Sequence, residues 1–360
     1  MSSKRSLRAR ATVLCLAPLL AVSACGSGPG SGSDSGSGSQ AALTAGSTVP
    51  GPAEQPAARA LDARVLAISI DALNPRALTR LGREAVPHLW RLLDQGAGTL
   101  DARSMVELSK TLPNHTSMVT GRRITASAGG HGVTWNEDRP GTTVQRAAGH
   151  GVASVFSVVH GGGGSTALFS TKTKLSLFER SWPVGLDRLV IKEERDRALV
   201  KAARADLVLR DRAFTFLHLG IADQTGHRHG FMSGPYLRAV RTADALVGTM
   251  LRAIDTHPDH SDVVVVLSAD HGGVGRSHFQ VHEVGDVRVP FVVWGRGVEH
   301  GDLYAMNPTY AKPGATVPGL AGKQPIRNGD LANLSLDLLG LGPVPGSRFD
   351  HDQRLSVTRP

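Results

Sequence analysis

The chain has 360 residues, 41% of them hydrophobic, with a formal charge of +9 and 2 cysteines, which is enough for one large or two small domains with an ample core. An aromatic content of 4%, with no dense Lys/Arg run interleaved with aromatics, argues against specific nucleic-acid binding. Both cysteines, Cys15 and Cys25, lie near the N-terminus, which excludes a disulfide scaffold, cysteine catalysis and thiolate metal ligation in the body of the protein.

In chain order, Lys4, Arg5, Arg8 and Arg10 precede an apolar run over residues 11–22 that is too short to span a membrane. Val22-Ser23-Ala24-Cys25 reads as a bacterial lipobox. Residues 1–24 are therefore expected to be a lipoprotein signal peptide, with the lipidated Cys25 holding the exported protein at the extracytoplasmic face of the cell membrane. Residues 25–60, rich in Gly, Ser and Pro, read as a flexible tether, and residues 61–360 as the folded domain. Setting aside the four signal cations takes the formal charge from +9 to +5, a mild excess that suits a small anionic substrate.

Residues 65–70 predict a buried strand. Asn74 and Pro75 open a helix over 75–81, and helical spacing returns over 86–95. Ser109-Lys110-Thr111-Leu112-Pro113-Asn114-His115 sets a hydroxyl in a turn before a short helix over 116–121, whose N-terminus suits a phosphate. Residues 122–185 are Gly-rich and irregular; 152–159 predict a strand and 161–164 a flexible loop, and substrate selectivity is expected to lie here. Helices are predicted over 193–207 and 235–254, and strands over 213–219, 263–267 and 289–294. This alternation predicts an α/β fold with a mostly parallel central sheet and helices on both faces, whose site lies at the carboxyl ends of the strands.

Three strand ends carry the chemistry: Ile68-Ser69-Ile70-Asp71, Gly220-Ile221-Ala222-Asp223-Gln224-Thr225-Gly226-His227, and Ser268-Ala269-Asp270-His271-Gly272-Gly273 followed by His278. Singly, an Asp after a strand is usually a turn residue and a lone His an ordinary surface or core residue. Asp223 and His227 are four apart, as one helical turn or a tight loop would require to converge on one ion. Asp270 and His271 can share an ion only from a bent strand-to-loop transition, which the following glycines permit.

Together with Lys110-Thr111-Leu112-Pro113-Asn114-His115, these motifs resemble, in type and order, the type I nucleotide pyrophosphatase/phosphodiesterase family of the alkaline phosphatase superfamily. The resemblance spans roughly residues 62 to 350 and takes in residues 325–334, which are similar to the family's C-terminal helix. It implies an alkaline-phosphatase-like fold and two divalent metal ions, with zinc the expected choice. One ion would be held by Asp223, His227 and His278, the other by Asp71, Asp270, His271 and the Thr111 alkoxide. His282 stands four residues beyond His278, so the choice between them awaits coordination geometry, while His229 reads as a loop residue. Thr111 would attack phosphorus to give a phosphothreonine intermediate. Asn136, in Gly132-Val133-Thr134-Trp135-Asn136, would donate to a phosphoryl oxygen, with Asn114 expected to shape the turn. Lys110 is equally readable as a phosphate-attracting charge or a solvated one.

The implied activity is hydrolysis of phosphodiester or nucleotide pyrophosphate bonds. A phosphomonoesterase or phosphonate hydrolase could use the same scaffold, since fold and metal site do not fix the leaving group. A sulfatase would need a Cys/Ser-x-Pro-x-Arg nucleophile segment, which is absent. A solute-binding lipoprotein would leave the Asp and His pattern unexplained.

Overall fold

The computed structural model describes residues 63–349 and 352–358; the signal segment, Cys25 and the tether lie outside the described residues. Eight strands build one sheet: β1 (Arg64–Ile70), β2 (Ala97–Arg103), β3 (Thr166–Ser170), β4 (Arg188–Ile191), β5 (Phe214–Leu219), β6 (Val263–Ser268), β7 (Arg288–Trp294) and β8 (Gly301–Asp302). Their order is β4-β3-β5-β1-β6-β7-β2-β8. Only β7 runs against its neighbours, β6 and β2. The expected mostly parallel sheet is thus present. β1, β5 and β6 sit side by side at its centre and are buried along their whole lengths, as their apolar and β-branched sequences require.

Helices cover the sheet in two mutually packed groups. The Thr111–Thr120, Val155–Gly161 and Leu331–Leu338 helices form one; Pro75–Ala85, Pro87–Gln95, Asp196–Leu209 and Gly234–Thr256 form the other. Among the described residues no helix is long and apolar enough to cross a membrane.

Registration brings the three central strand ends level. Ser69 pairs with Ser268, and Ile70 with Leu219, so Asp71, the Gly220–Asp223 turn and Asp270 leave the sheet along one edge. The turn after Asp71 is tightly held. Ala72 adopts a left-handed conformation with φ 58°, which costs a non-glycine residue about 1–3 kcal/mol. The buried Tyr236 hydroxyl spans this turn, donating to the Ala72 carbonyl at 2.7 Å and accepting from the Asn74 amide at 3.0 Å.

Three expectations change. Residues 152–159 do not form a strand: Ser154 caps a helix over Val155–Gly161, with Ser154 and Ser157 each bonding the other's backbone amide, and Val155, Phe156 and Val159 enter the core. The helix predicted over 116–121 begins at Thr111 itself rather than after the turn. Four strands, β2, β3, β4 and β8, have no counterpart in the sequence reading, and β3 lies inside the stretch read as irregular.

The Tyr236 bridge makes a stability prediction. Tyr236→Phe should leave one buried carbonyl and one buried amide unpaired and lower the free energy of unfolding by about 1–3 kcal/mol. Urea denaturation measures this, and an unchanged midpoint would show that the turn does not depend on the hydroxyl.

Candidate metal and nucleophile site

The helix over Thr111–Thr120 is buried throughout, and Lys110, which precedes it, makes no side-chain cap. The residue at the N-cap therefore does not close the first-turn amides itself. Asn114 shapes the entry: its carbonyl oxygen accepts from the Met105 amide at 2.9 Å, and its amide donates to the Leu108 and Lys110 carbonyls. Asn136 is brought to the same end, its Oδ1 accepting from the Leu112 amide at 2.9 Å. The chain between them thus returns Asn136 to the helix that Thr111 begins.

Around Thr111 the strand-end residues converge into two groups. In the first, His227 Nε2 is 3.3 Å from Asp223 Oδ1, and His278 Nε2 is 3.1 Å from His227 Nε2 and 3.8 Å from Asp223 Oδ1. In the second, His271 Nε2 lies 3.5 Å from Asp71 Oδ1, 3.0 Å from Asp270 Oδ2 and 3.5 Å from Thr111 Oγ1. Ligand atoms of Asp71, Asp270 and His271 are mutually close enough to hold one ion, and His271 is also within reach of Asp223 and His278. Of His278 and His282 it is His278 that joins the cluster, against His227 and His271, and His282 and His229 are exposed.

The local sequence explains the convergence. Asp223 and His227 lie on the helix Ile221–His229, one turn apart. That helix starts under Asp196, whose Oδ1 accepts from the Gly220 and Ile221 amides. The glycines after His271 serve close approach rather than unusual torsion: a Cβ on Gly272 would stand 2.2 Å from the Gly285 carbonyl oxygen, and one on Gly273 would meet the Phe231 ring at 2.5 Å.

Asp71 Oδ1, Asp223 Oδ1 and Asp270 Oδ2 are buried without a hydrogen-bond donor of good geometry. Buried polar atoms are rarely left so, and these three are the oxygens that face the imidazole nitrogens. Hard oxygen and imidazole donors in this number fit divalent ions such as zinc. The opposite carboxylate oxygens are occupied. Lys172 Nζ lies 2.5 Å from Asp71 Oδ2 and 2.6 Å from Asp223 Oδ2, and 3.4 Å from Thr111 Oγ1. His218 Nε2 bonds Asp71 Oδ2 at 3.0 Å, and its Nδ1 lies 3.2 Å from Thr171 Oγ1. Beneath Thr111, His115 bridges Ser69 Oγ and the Thr111 carbonyl, each at 2.8 Å.

Protonation follows this arrangement. Burial disfavours the charge on Asp71, but Lys172, His218 and His271 together hold its carboxyl well below the usual range. Burial and Asp71 push Asp223 upward, yet Lys172 and the neighbouring His227 imidazole outweigh them and leave it lowered. Burial likewise opposes a proton on His271, but Asp270, Asp71 and Asp223 raise it to about 9. Burial and the stacked His271, with ring centroids 3.6 Å apart, push His278 down to about 3.

Sequence reasoning missed Lys172, His218 and His115. Lys172 had a usable signal: it follows Thr-Ala-Leu-Phe-Ser, a short apolar run with a polar exit, as Asp71 follows its own strand. His218 and His115 carry no such mark, since both sit inside buried elements. Lys172 thus adds a cation beside Thr111, 3.4 Å from its Oγ1. Arg122 and Arg123 turn elsewhere, Arg122 donating to the Gly129 and Pro345 carbonyls and Arg123 to Glu107.

His218 should act through Asp71. Fixing Oδ2 aims Oδ1 at the cluster, and loss of such a supporting bond typically costs about 10–100-fold in metal affinity. His218→Ala is expected to show that loss in a chelator competition while its circular dichroism stays unchanged; wild-type affinity would remove the positioning role.

The similarities of this chain agree with the geometry. Among curated proteins, a GPI ethanolamine phosphate transferase 1 from Neurospora crassa is 31% identical over 126 residues, covering 35% of this chain and 11% of that protein. Venom phosphodiesterase 2 from Crotalus adamanteus is 34% identical over 74 residues, covering 21% of this chain and 8% of that protein. The chain thus aligns with about a tenth of each relative's length. Among solved structures, a murine ectonucleotide pyrophosphatase/phosphodiesterase, in an inactive variant with AMP, superposes with a TM-score of 0.59 at 12% identity, over 81% of this chain and 99% of that one. A sulfatase-like protein from Bacteroides thetaiotaomicron gives 0.59 at 14% identity, over 80% and 73%. These neighbours show an alkaline-phosphatase-like fold. The family model for type I phosphodiesterase/nucleotide pyrophosphatase matches residues 65–148 and 134–315, and the chain belongs to that family.

Proposed function

We propose that the protein is a two-metal hydrolase of phosphodiester or nucleotide pyrophosphate bonds, with Thr111 as the nucleophile. The observation that carries this reading is the set of three buried carboxylate oxygens without donors, gathered with three imidazoles around one hydroxyl at a helix N-terminus. Asp71, Asp223 and Asp270 against Lys172 and a protonated His271 leave one negative charge uncompensated, so the bare pocket would repel a phosphate anion. Two divalent ions reverse that sign. We assign Asp223, His227 and His278 to one ion and Asp71, Asp270, His271 and Thr111 to the other, with zinc the expected metal. When bound, the ions would supply Lewis-acid activation of the hydroxyl and of the leaving group.

The chain's own groups do the rest. His115 and Asn114 fix the backbone that carries Thr111, so its Oγ1 is positioned before substrate arrives. Asn136 accepts from the Leu112 amide through Oδ1, which leaves its amide nitrogen to donate to a phosphoryl oxygen. Lys172 keeps the carboxylates ionised and places a positive charge beside the developing phosphothreonine.

A second reading, phosphomonoesterase or phosphonate hydrolase, is favoured by Lys172 and by Lys174, half-buried on the same turn, because an additional cation suits the extra charged oxygen of a monoester. The diester reading is preferred because Lys172 is already paired with two carboxylates. The metal-replete protein should cleave bis-p-nitrophenyl phosphate or a nucleotide p-nitrophenyl ester more efficiently than p-nitrophenyl phosphate. Thr111→Ala should remove turnover while metal content is retained, and Thr111→Ser should keep part of it. A monoester preference above tenfold, about 1.4 kcal/mol in the transition state, would replace the diester reading with the second one.

We also propose that the protein is exported and held at the extracytoplasmic membrane face by lipid on Cys25, on the strength of Val22-Ser23-Ala24-Cys25 after a basic and apolar leader. Mass spectrometry of the membrane-extracted protein should show an N-terminal lipidated Cys25; an intact residue 1 or a bare cysteine would refute it.

A further inference from the structure

Four large hydrophobic side chains stand exposed among the described residues: Val184, Leu209, Val274 and Phe279. Two of them, Val274 at 46% and Phe279 at 55%, share the loop that also carries His278. Phe279 is the notable one. Its ring lies 4.6 Å from that of His278 and 6.5 Å from that of His227, centroid to centroid. His227 is backed on another side by Phe231, 5.6 Å away and buried, so the imidazole sits among two phenyl rings of which only Phe279 is uncovered.

The order of groups gives that ring a place in the reaction. Thr111 Oγ1 is 3.5 Å from His271 Nε2, His271 stacks on His278 at 3.6 Å, and His278 contacts Phe279. Phe279 is therefore the last of a row that starts at the nucleophile. With Thr111 assigned as the nucleophile, in-line displacement would place the leaving oxygen opposite the attacking one, and Asp223, His227 and His278 are the group assigned to the second ion there. The His227 side chain is 39% exposed, so the site opens to solvent there, and Phe279 stands at the opening.

Building on the phosphodiesterase reading, we propose that Phe279 is a specificity-determining residue, an apolar platform that receives a flat aromatic leaving group as it departs past His227 and His278. An aromatic face paired with another in offset or edge geometry changes an equilibrium from a few-fold to about tenfold. A small alkyl leaving group gains little of this.

The test uses the full-length, metal-replete protein and two diesters with one leaving group, methyl p-nitrophenyl phosphate and bis-p-nitrophenyl phosphate. Phe279→Ala should lower kcat/KM by the same factor, three- to tenfold, for both, with metal content unchanged, and Phe279→Trp should restore it. Loss only for the bis ester would place Phe279 on the retained substituent, and no loss would deny it contact with either; both overturn the proposal. So would loss of metal together with activity, which makes the ring a support for His278. A second measurement does not depend on turnover: the added fluorescence of Phe279→Trp should be quenched saturably by p-nitrophenol, in excess over the wild-type response. Failure of the wild-type protein to cleave either diester would count against the phosphodiesterase reading, whereas absent quenching would count against the platform itself.

Discussion

The structure depends on holding three carboxylates together where they repel. At about 4 Å and an effective dielectric near 20, each pair of like charges costs on the order of 4 kcal/mol, and Asp71, Asp223 and Asp270 are all buried. Lys172 makes the arrangement tolerable, because one ammonium contacts both Asp71 and Asp223. It is buried too, and burial disfavours its charge, yet the surrounding carboxylates hold it firmly protonated. The pairing also divides labour between oxygens. Lys172 and His218 take Oδ2 of Asp71, Lys172 takes Oδ2 of Asp223, and the remaining oxygens are left to face the imidazoles.

That division explains why the sheet is ordered as it is. β3, β5, β1 and β6 are consecutive neighbours, and their carboxyl ends supply Lys172, Asp223, Asp71 and Asp270 in that spatial order. No two of these residues need long loops to meet. The helix Ile221–His229 adds His227 by its pitch, and the loop after β6 adds His271 and His278. A site assembled this way inherits the rigidity of the sheet, which suits chemistry that relies on preset geometry rather than on closure around the substrate.

What could be read from the sequence follows the same logic. Strand ends announced themselves where an apolar run met a single polar residue, so β1, β5 and β6 and the residues after them were legible, as was the pitch joining Asp223 to His227. The parallel architecture and its site edge followed from alternation alone. β3 was hidden because four glycines precede it and its neighbours are short helices, and Lys172 went unseen with it. β2 was hidden by Gly98 and Asp101, which dilute its apolar character. At residues 152–159 the β-branched run suggested a strand, but the Ser154 cap and the burial of one helical face prevailed over propensity. His115 and His218 illustrate a different limit: their roles depend on contacts across 46 and 147 residues, and no local pattern encodes a partner at that distance.

The two sides of the imidazole row are unlike. Toward Thr111 it meets charge on every side: Asp71, Asp270 and Lys172, all buried. Beyond His278 it meets phenyl rings, one sealed and one open. The proposed reaction would begin by attack of an anionic oxygen and end by release of an aromatic leaving group, and this asymmetry suits it: the charged end would hold the ions and the phosphoryl group, and the phenyl end would receive the product. The charged end is specified by the strand ends and is therefore common to any chemistry this sheet edge can support. The apolar end is specified by a loop, where single substitutions leave the carboxylates untouched. Selectivity for the leaving group can consequently vary without disturbing the electrostatic balance on which the fold of the site rests.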